Sequence, residues 1–191
     1  MLEATFAGNY RITSADSWAE RHQDEIHSPN MKYCQLDRIT FLDPGKRIVA
    51  ERTLGAEEEF LADHFPNFPV MPGVMMLEAL LQASVWMIRT GDDFQSPLVL
   101  LREVRSVKFG DFLAPGETLQ ITAEVFKEAG EVTTVKAFAQ KNERTTVSAR
   151  LILERSGSGD PGRLGTDADV RRRARKQFGE LFGEIAIGNQ A

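Results

Sequence analysis

Residues 63–84 read DHFPNFPVMPGVMMLEALLQAS, and this stretch decides the fold. It opens as a proline-punctuated loop that holds His64. At Pro72-Gly73 it becomes a nearly all-apolar segment: Val74, Met75, Met76 and Leu77, then Glu78, then Ala79, Leu80 and Leu81. Proline is favoured at the first position of a helix, so Pro72 predicts a helix start, and Thr90-Gly91 predicts its end. A helix that is apolar all round belongs in an interior. A carboxylate on such a helix must be paired, protonated or functional, because leaving it charged and alone costs several kcal/mol.

Working outward, Gln35–Phe41 and Lys46–Leu54 flank Asp43-Pro44-Gly45, a strand–turn–strand signal. After the helix, Leu98–Phe109 is strand-like, and Ala114-Pro115-Gly116 is a turn. Leu119, Ile121, Ala123 and Val125 then alternate with Gln120, Thr122 and Glu124, the period-2 pattern of a half-buried strand. Val132–Ala139 and the alternation Val147, Ala149, Leu151, Leu153 continue it. An antiparallel sheet with its apolar face wrapped on one long helix satisfies the whole pattern, an α+β architecture.

The ends differ from this middle. Residues 1–30 are polar and broken by Gly8-Asn9 and Ser28-Pro29-Asn30, and are expected to be a surface arm or partner-binding extension. The well-patterned domain spans 31–155, with Met31 at its start. Residues 156–166 (SGSGDPGRLGT) read as a linker. Residues 167–191 read as an amphipathic helix and tail. Thr166 and Asp169 resemble a capping pair. Val170, Ala174, Phe178, Leu181, Phe182 and Ile185 form its apolar stripe, and Arg171, Arg172, Arg173, Arg175 and Lys176 gather positive charge near its start.

Composition narrows the function. The chain has 191 residues, 42% hydrophobic and 27% charged, with a formal net charge of −5. That balance gives no global attraction to nucleic acid or anionic membrane. Its 1 cysteine, Cys34, rules out an internal disulfide and a cysteine metal cluster and fits a cytoplasmic setting. The first residues lack the basic-then-apolar pattern of a secretory leader. The apolar run 74–88 is interrupted by Glu78, Gln82 and Ser84 and is too short for a membrane span.

Of 3 histidines, His22 and His27 lie in the polar extension, and only His64 sits in a stiff loop before the helix. Pro66 and Pro69 fix φ around it, which suits a side chain that must be aimed. Glu78 lies roughly 7 Å along the helix axis from Gly73. Gln82, one turn further on the same face, is placed to orient it. The first helix amides, near Gly73 and Val74, are unpaired donors at the positive end of the dipole. Gly73, lacking a side chain, lets a ligand approach the backbone. Base, acid and oxyanion donors together form the kit for removing a proton α to a carbonyl and expelling a β-hydroxyl. No metal-ligand spacing or phosphate loop competes.

His64-Phe65-Pro66, Pro69-Val70-Met71-Pro72-Gly73-Val74, Glu78-Ala79 and Gln82 closely resemble the hotdog-fold (3R)-hydroxyacyl-[acyl-carrier-protein] dehydratases of fatty-acid synthesis. Weaker similarity runs over about residues 35–154, through Leu36-Asp37-Arg38, Asp43-Pro44-Gly45-Lys46 and Phe109 to Pro115-Gly116-Glu117. The resemblance implies that His64 takes the Cα proton, Glu78 helps the hydroxyl leave, and amides near Gly73 and Val74 bind the thioester oxygen. Pro69, Pro72 and Gln82 support them. It implies no cofactor and no metal, an acyl-carrier-protein partner, and a homodimer or hexamer in which His64 and Glu78 of one site come from different subunits. A hotdog hydratase or thioesterase acting on coenzyme A thioesters, or a non-catalytic acyl-binding subunit, are the alternatives.

The chain departs from this pattern in two places. Asp63 stands where the family has glycine before the histidine. Gly110-Asp111 follow Phe109 where basic residues are usual. Positive charge for docking an acidic carrier protein would then come from elsewhere, and Arg171, Arg172, Arg173, Arg175 and Lys176 are the candidates, set against an ordinary solvated helix face.

Overall fold

The computed structural model describes residues 33–65, 67–96, 98–157 and 166–183. The expected N-terminal arm (1–30) and most of the expected linker lie outside them. The described residues from Cys34 onward belong to one compact unit.

Six strands form one antiparallel sheet: β1 (Arg38–Asp43), β2 (Arg47–Thr53), β3 (Leu98–Phe109), β4 (Thr118–Ala129), β5 (Val132–Lys141) and β6 (Arg144–Ser156). Their spatial order is β1-β2-β4-β5-β6-β3, so β3 crosses to the far edge and pairs with β6. Helix α1 (Gly73–Gly91) lies across the sheet, and α2 (Asp167–Phe182) follows the last strand. Among the described residues, no helix is long and apolar enough to cross a membrane.

The strands form where the sequence alternates, because one face must be buried. The seat of α1 is paved with small residues. Ala123, Ala137 and Ala149 lie opposite one another across β4, β5 and β6, with the larger Ile48 of β2 ending the row, and all are buried. Methyl-sized side chains there let the helix backbone approach closely. Met76, Ala79, Leu80, Ala83 and Met87 fill the gap from above, each nearly or fully buried. Truncating one large member, such as Leu80→Ala, would cost about 2–5 kcal/mol.

Helix α1 starts one residue later than the proline rule places it. Pro72 is the N-cap, extended at ψ 135, and Gly73 is the first helical residue. At the other end, Gly91 lies within the last turn rather than beyond it. A Cβ there would stand 2.3 Å from the Gly45 Cα, in the β1–β2 turn. The Gly45 N–H donates to the carbonyl of Met87 at 3.0 Å, tying that hairpin to the helix.

The expected capping pair of α2 is present: the Thr166 hydroxyl accepts from the Asp169 N–H, and the Asp169 carboxylate accepts from Thr166. Its apolar stripe docks on the C-terminal half of α1. The Trp86 ring lies 5.5 Å from Phe178 and 5.9 Å from Phe182, and Phe94 lies 5.7 Å from Phe178. Arg175 pairs with Asp93 at 2.7 Å and stacks over Phe94, while Arg171 donates to Gln95.

Candidate active site

The helix start, Gly73–Val74, is held by its neighbours rather than by a capping side chain. Val70 and Met71 are buried, and the Met71 N–H donates to the Leu113 carbonyl at 2.8 Å. Pro72 has no side chain able to cap the helix. The amides of Met75 and Met76 turn back to the Pro72 carbonyl. Among the described residues, none accepts from the N–H of Gly73 or Val74, so both remain donors at the positive end of a 19-residue helix.

His64 follows a 3-10 turn, Glu59–Ala62, to which it is tied by its own N–H donating to the Phe60 carbonyl at 3.0 Å. Its ring is half-buried and meets Phe65 edge to face at 4.5 Å. Phe65 takes the left-handed backbone at φ 52, a conformation that costs a bulky residue roughly 1–2 kcal/mol. The chain bears that strain at the residue next to the imidazole. The residue before the histidine is relaxed: Asp63 has φ −103 and ψ −19, ordinary right-handed backbone. The position therefore makes no demand for glycine, and the departure at Asp63 leaves the loop's path open to any residue.

Glu78 is half-buried rather than enclosed. It lies in a stripe with Val74, Leu77, Leu81 and Val85, none of them fully buried, and Val74 is 69% exposed. The side of α1 away from the sheet is thus apolar but open, a correction to the reading of an all-round interior helix.

Gln82 donates from Nε2 to the Glu78 Oε1 at 2.9 Å. The Gln82 Oε1 accepts from the backbone N–H of Gln35 at 2.8 Å. A backbone N–H can only donate, so Gln82 must turn its oxygen to Gln35 and its NH₂ to the carboxyl. That contact satisfies Oε1 as an acceptor. Among the described residues no donor reaches Oε2, which is left open. Gln35, buried in the chain before β1, is a contributor that the sequence pattern did not single out.

The structure therefore joins Glu78 to Gln82 and places Gly73 and Val74 just over one turn from Glu78 on the same helix. It does not join His64 to Glu78: within the protomer no hydrogen bond or ion pair links them, among the described residues. Pro69 is exposed and leads into the buried Val70–Met71 anchor. No cluster of the described residues could hold a metal ion.

Aromatic side chains line this region. Phe65, Phe68, Phe109 and Phe112 are all more than half exposed, and Phe68 meets Phe112 edge to face at 5.8 Å. Beside them, Asp111 and Glu117 share Lys141, at 3.5 and 3.1 Å. The Phe112 N–H holds the Asp111 carboxyl below its usual range, and the Ala114 N–H does the same for Glu117, with Lys141 adding to both.

A sheet wrapped on one long helix, with a histidine loop and a helix-borne carboxyl at its N-terminal end, defines a hotdog-fold protein. The chain belongs to the FabA-like domain family, which it matches over residues 28–150. The 3-hydroxyacyl-[acyl-carrier-protein] dehydratase FabZ of Levilactobacillus brevis is 35% identical over 118 residues, 62% of this chain and 80% of that one. The protein of the same name from Clostridium kluyveri is 32% identical over 118 residues, 62% of this chain and 82% of that one. Among solved structures, the dehydratase heterocomplex ApeI:P from Xenorhabdus doucetiae aligns with a TM-score of 0.56 at 17% identity, covering 71% of this chain and 91% of that one. A hypothetical thioesterase from Streptococcus pneumoniae, solved with coenzyme A, aligns at 0.55 and 11% identity, covering 71% and 97%. These structural likenesses speak for the fold alone.

Proposed function

We propose that the chain dehydrates (3R)-3-hydroxyacyl groups on acyl carrier protein to trans-2-enoyl groups, a hydro-lyase step of fatty-acid or related acyl-chain synthesis. The observation that carries this reading is the oriented Glu78 carboxyl, held by Gln82 on the helix whose first amides, Gly73 and Val74, find no acceptor among the described residues. The FabZ relatives, aligned over most of their own length, support the same substrate class.

His64 takes the proton from the carbon next to the thioester carbonyl. Charge builds on the thioester oxygen, which accepts from the Gly73 and Val74 amides. The bond from carbon 3 to its hydroxyl breaks as Glu78 Oε2 delivers a proton, and the hydroxyl leaves as water. One proton is removed and one returned, so no cofactor is consumed.

The site is built from two subunits. Three features support a homodimer: the open apolar stripe beside Glu78, the lack of a His64–Glu78 link within the protomer, and the 12-residue edge strand β3. That strand exposes Leu100, Leu101, Val107 and Phe109 and, among the described residues, pairs on one side only. A long apolar edge of this kind calls for a second chain. Hexamers are assemblies of such dimers, and a cytoplasmic setting fits the reading.

The test gives the purified protein 3-hydroxyacyl-carrier and 3-hydroxyacyl-coenzyme A substrates and follows enoyl product and free thiol. Enoyl product from the carrier substrate, lost in His64→Ala and Glu78→Ala, supports the reading. Free thiol without enoyl product replaces it with a thioesterase.

A further inference from the structure

We infer that Phe109 is a positioning residue for the reaction, a fixed aromatic shelf over the Gly73–Val74 amides; this rests on the dehydratase reading of the same site. A Cβ built on Gly73 would stand 2.9 Å from Phe109 Cε1, 3.2 Å from Cδ1 and 3.3 Å from Cζ. The ring occupies the space that a side chain at 73 would take. Gly73 is the first residue of α1 and its φ lies outside the left-handed region, so the backbone makes no demand for glycine. Alanine would favour the helix. The demand comes from the ring.

The strand is shaped to deliver that ring. Val104 lies opposite Leu151 and Phe109 opposite Val147, and both partners face α1. In a regular strand, residues an odd number apart face opposite sides. A register shift between Arg105 and Lys108, with Ser106 at φ 54, supplies the extra residue that reverses the parity. Without it Phe109 would point away from α1; bulges of this kind re-aim side chains beside sites. The chain then cannot retreat. The Gly110 N–H donates to the Thr146 carbonyl at 2.8 Å, and a Cβ at Gly110 would stand 2.6 Å from the Thr145 carbonyl oxygen.

Within the protomer Phe109 remains 54% exposed, so packing in its own core does not explain its position. A ring at that place keeps water off one flank of the two amides, which strengthens their hold on a developing oxyanion. It also fixes where the thioester lies.

The experiment compares Phe109→Ala and Phe109→Leu with the wild type on 3-hydroxyacyl-carrier substrate, measuring kcat, KM and Tm. A positioning shelf predicts a kcat loss of about tenfold or more for Phe109→Ala, with KM held within about threefold, since misplacement acts on the chemical step. Phe109→Leu should lose several-fold less, and it carries the test if the alanine variant does not fold. Gly73→Ala should lower Tm, and adding Phe109→Leu should restore it. An unchanged kcat in both Phe109 variants, or a rise in KM alone, overturns the inference while leaving the dehydratase reading intact. A wild type that forms no enoyl product overturns both.

Discussion

The side-chain amide of Gln82 donates to Oε1 of Glu78 at 2.9 Å, from one turn further along the same helix. Its other end is occupied by the Gln35 N–H, so its orientation is fixed from outside the helix. Gln82→Ala removes the donor to the carboxyl and the acceptor that the Gln35 N–H uses. It should lower Tm by an amount corresponding to about 1–3 kcal/mol, and lower kcat as well. Gln82→Glu keeps an acceptor for Gln35 but sets a second oxygen against Glu78. It should cost less stability than alanine and more turnover. Thermal melts and kcat measured together check the split; equal losses on both readouts would make Gln82 a structural residue only.

Mixing inactive variants tests whether the site is shared. If His64 and Glu78 of one site come from different copies, a heterodimer of His64→Ala and Glu78→Ala contains one intact pair and one doubly broken pair. Random reassortment then gives about one quarter of wild-type activity, since half the dimers are mixed and half their sites are intact. Activity staying at the level of the separate variants would place both groups within a single chain.

Much of this was legible in the chain itself. The apolar run after Pro72, the period-2 strands and the one turn between Glu78 and Gln82 are local patterns, and local geometry converts them directly into helix, sheet and contact. What could not be read is non-local. The crossing of β3 to the far edge is set by which strands share a core, not by their order. The bulges that reverse side-chain facing leave no compositional mark, as at Ser106. Gly91 reads as a helix terminator, yet its contact is with Gly45, distant in sequence. The expected basic cluster divides because helical residues at 171 and 175 share one face, which the packing turns toward Asp93 and Gln95.

Gly91 and Gly45 meet backbone to backbone, so neither side has a flexible group that can give way. Gly91→Ala places a methyl 2.3 Å from one backbone atom and 2.6 Å from another. The hairpin and the helix end must separate, breaking the Gly45–Met87 hydrogen bond. A loss of at least about 2 kcal/mol is expected, although alanine is the better helix former. Chemical denaturation measures it; a variant as stable as the wild type would mean the β1–β2 turn is free to shift.

Acid should undock α2. The Thr166 hydroxyl and N–H hold the Asp169 carboxyl below its ordinary value of 3.8. A depressed folded value means the cap stabilises the helix fully above about pH 4, and that contribution fades as pH falls through the lower folded value. Trp86, 5% exposed and packed on Phe178 and Phe182, reports the docking. In a Trp18→Phe background, its fluorescence should shift red at a higher pH than the sheet signal is lost. Asp169→Asn should flatten the difference. Coincident loss of both signals at every pH would tie α2 to the global unfolding of the sheet.

The positive charge of α2 divides by what it touches. Arg171 and Arg175 face the loop after α1, while Arg172 and Lys176 have side chains 77% and 73% exposed, and Arg173 is also exposed. An acidic carrier protein would meet the second group. Exchanging Arg172, Arg173 and Lys176 for glutamine should raise KM for carrier-bound substrate several-fold and flatten its salt dependence. KM for coenzyme A substrate and Tm should stay unchanged, since exposed rim charges act mainly on encounter. Exchanging Arg171 and Arg175 should instead lower Tm and expose Trp86, through lost contacts to Asp93, Phe94 and Gln95. Equal KM shifts on both substrates would place the docking surface elsewhere on the protein, and leave α2 as a clamp on the end of α1.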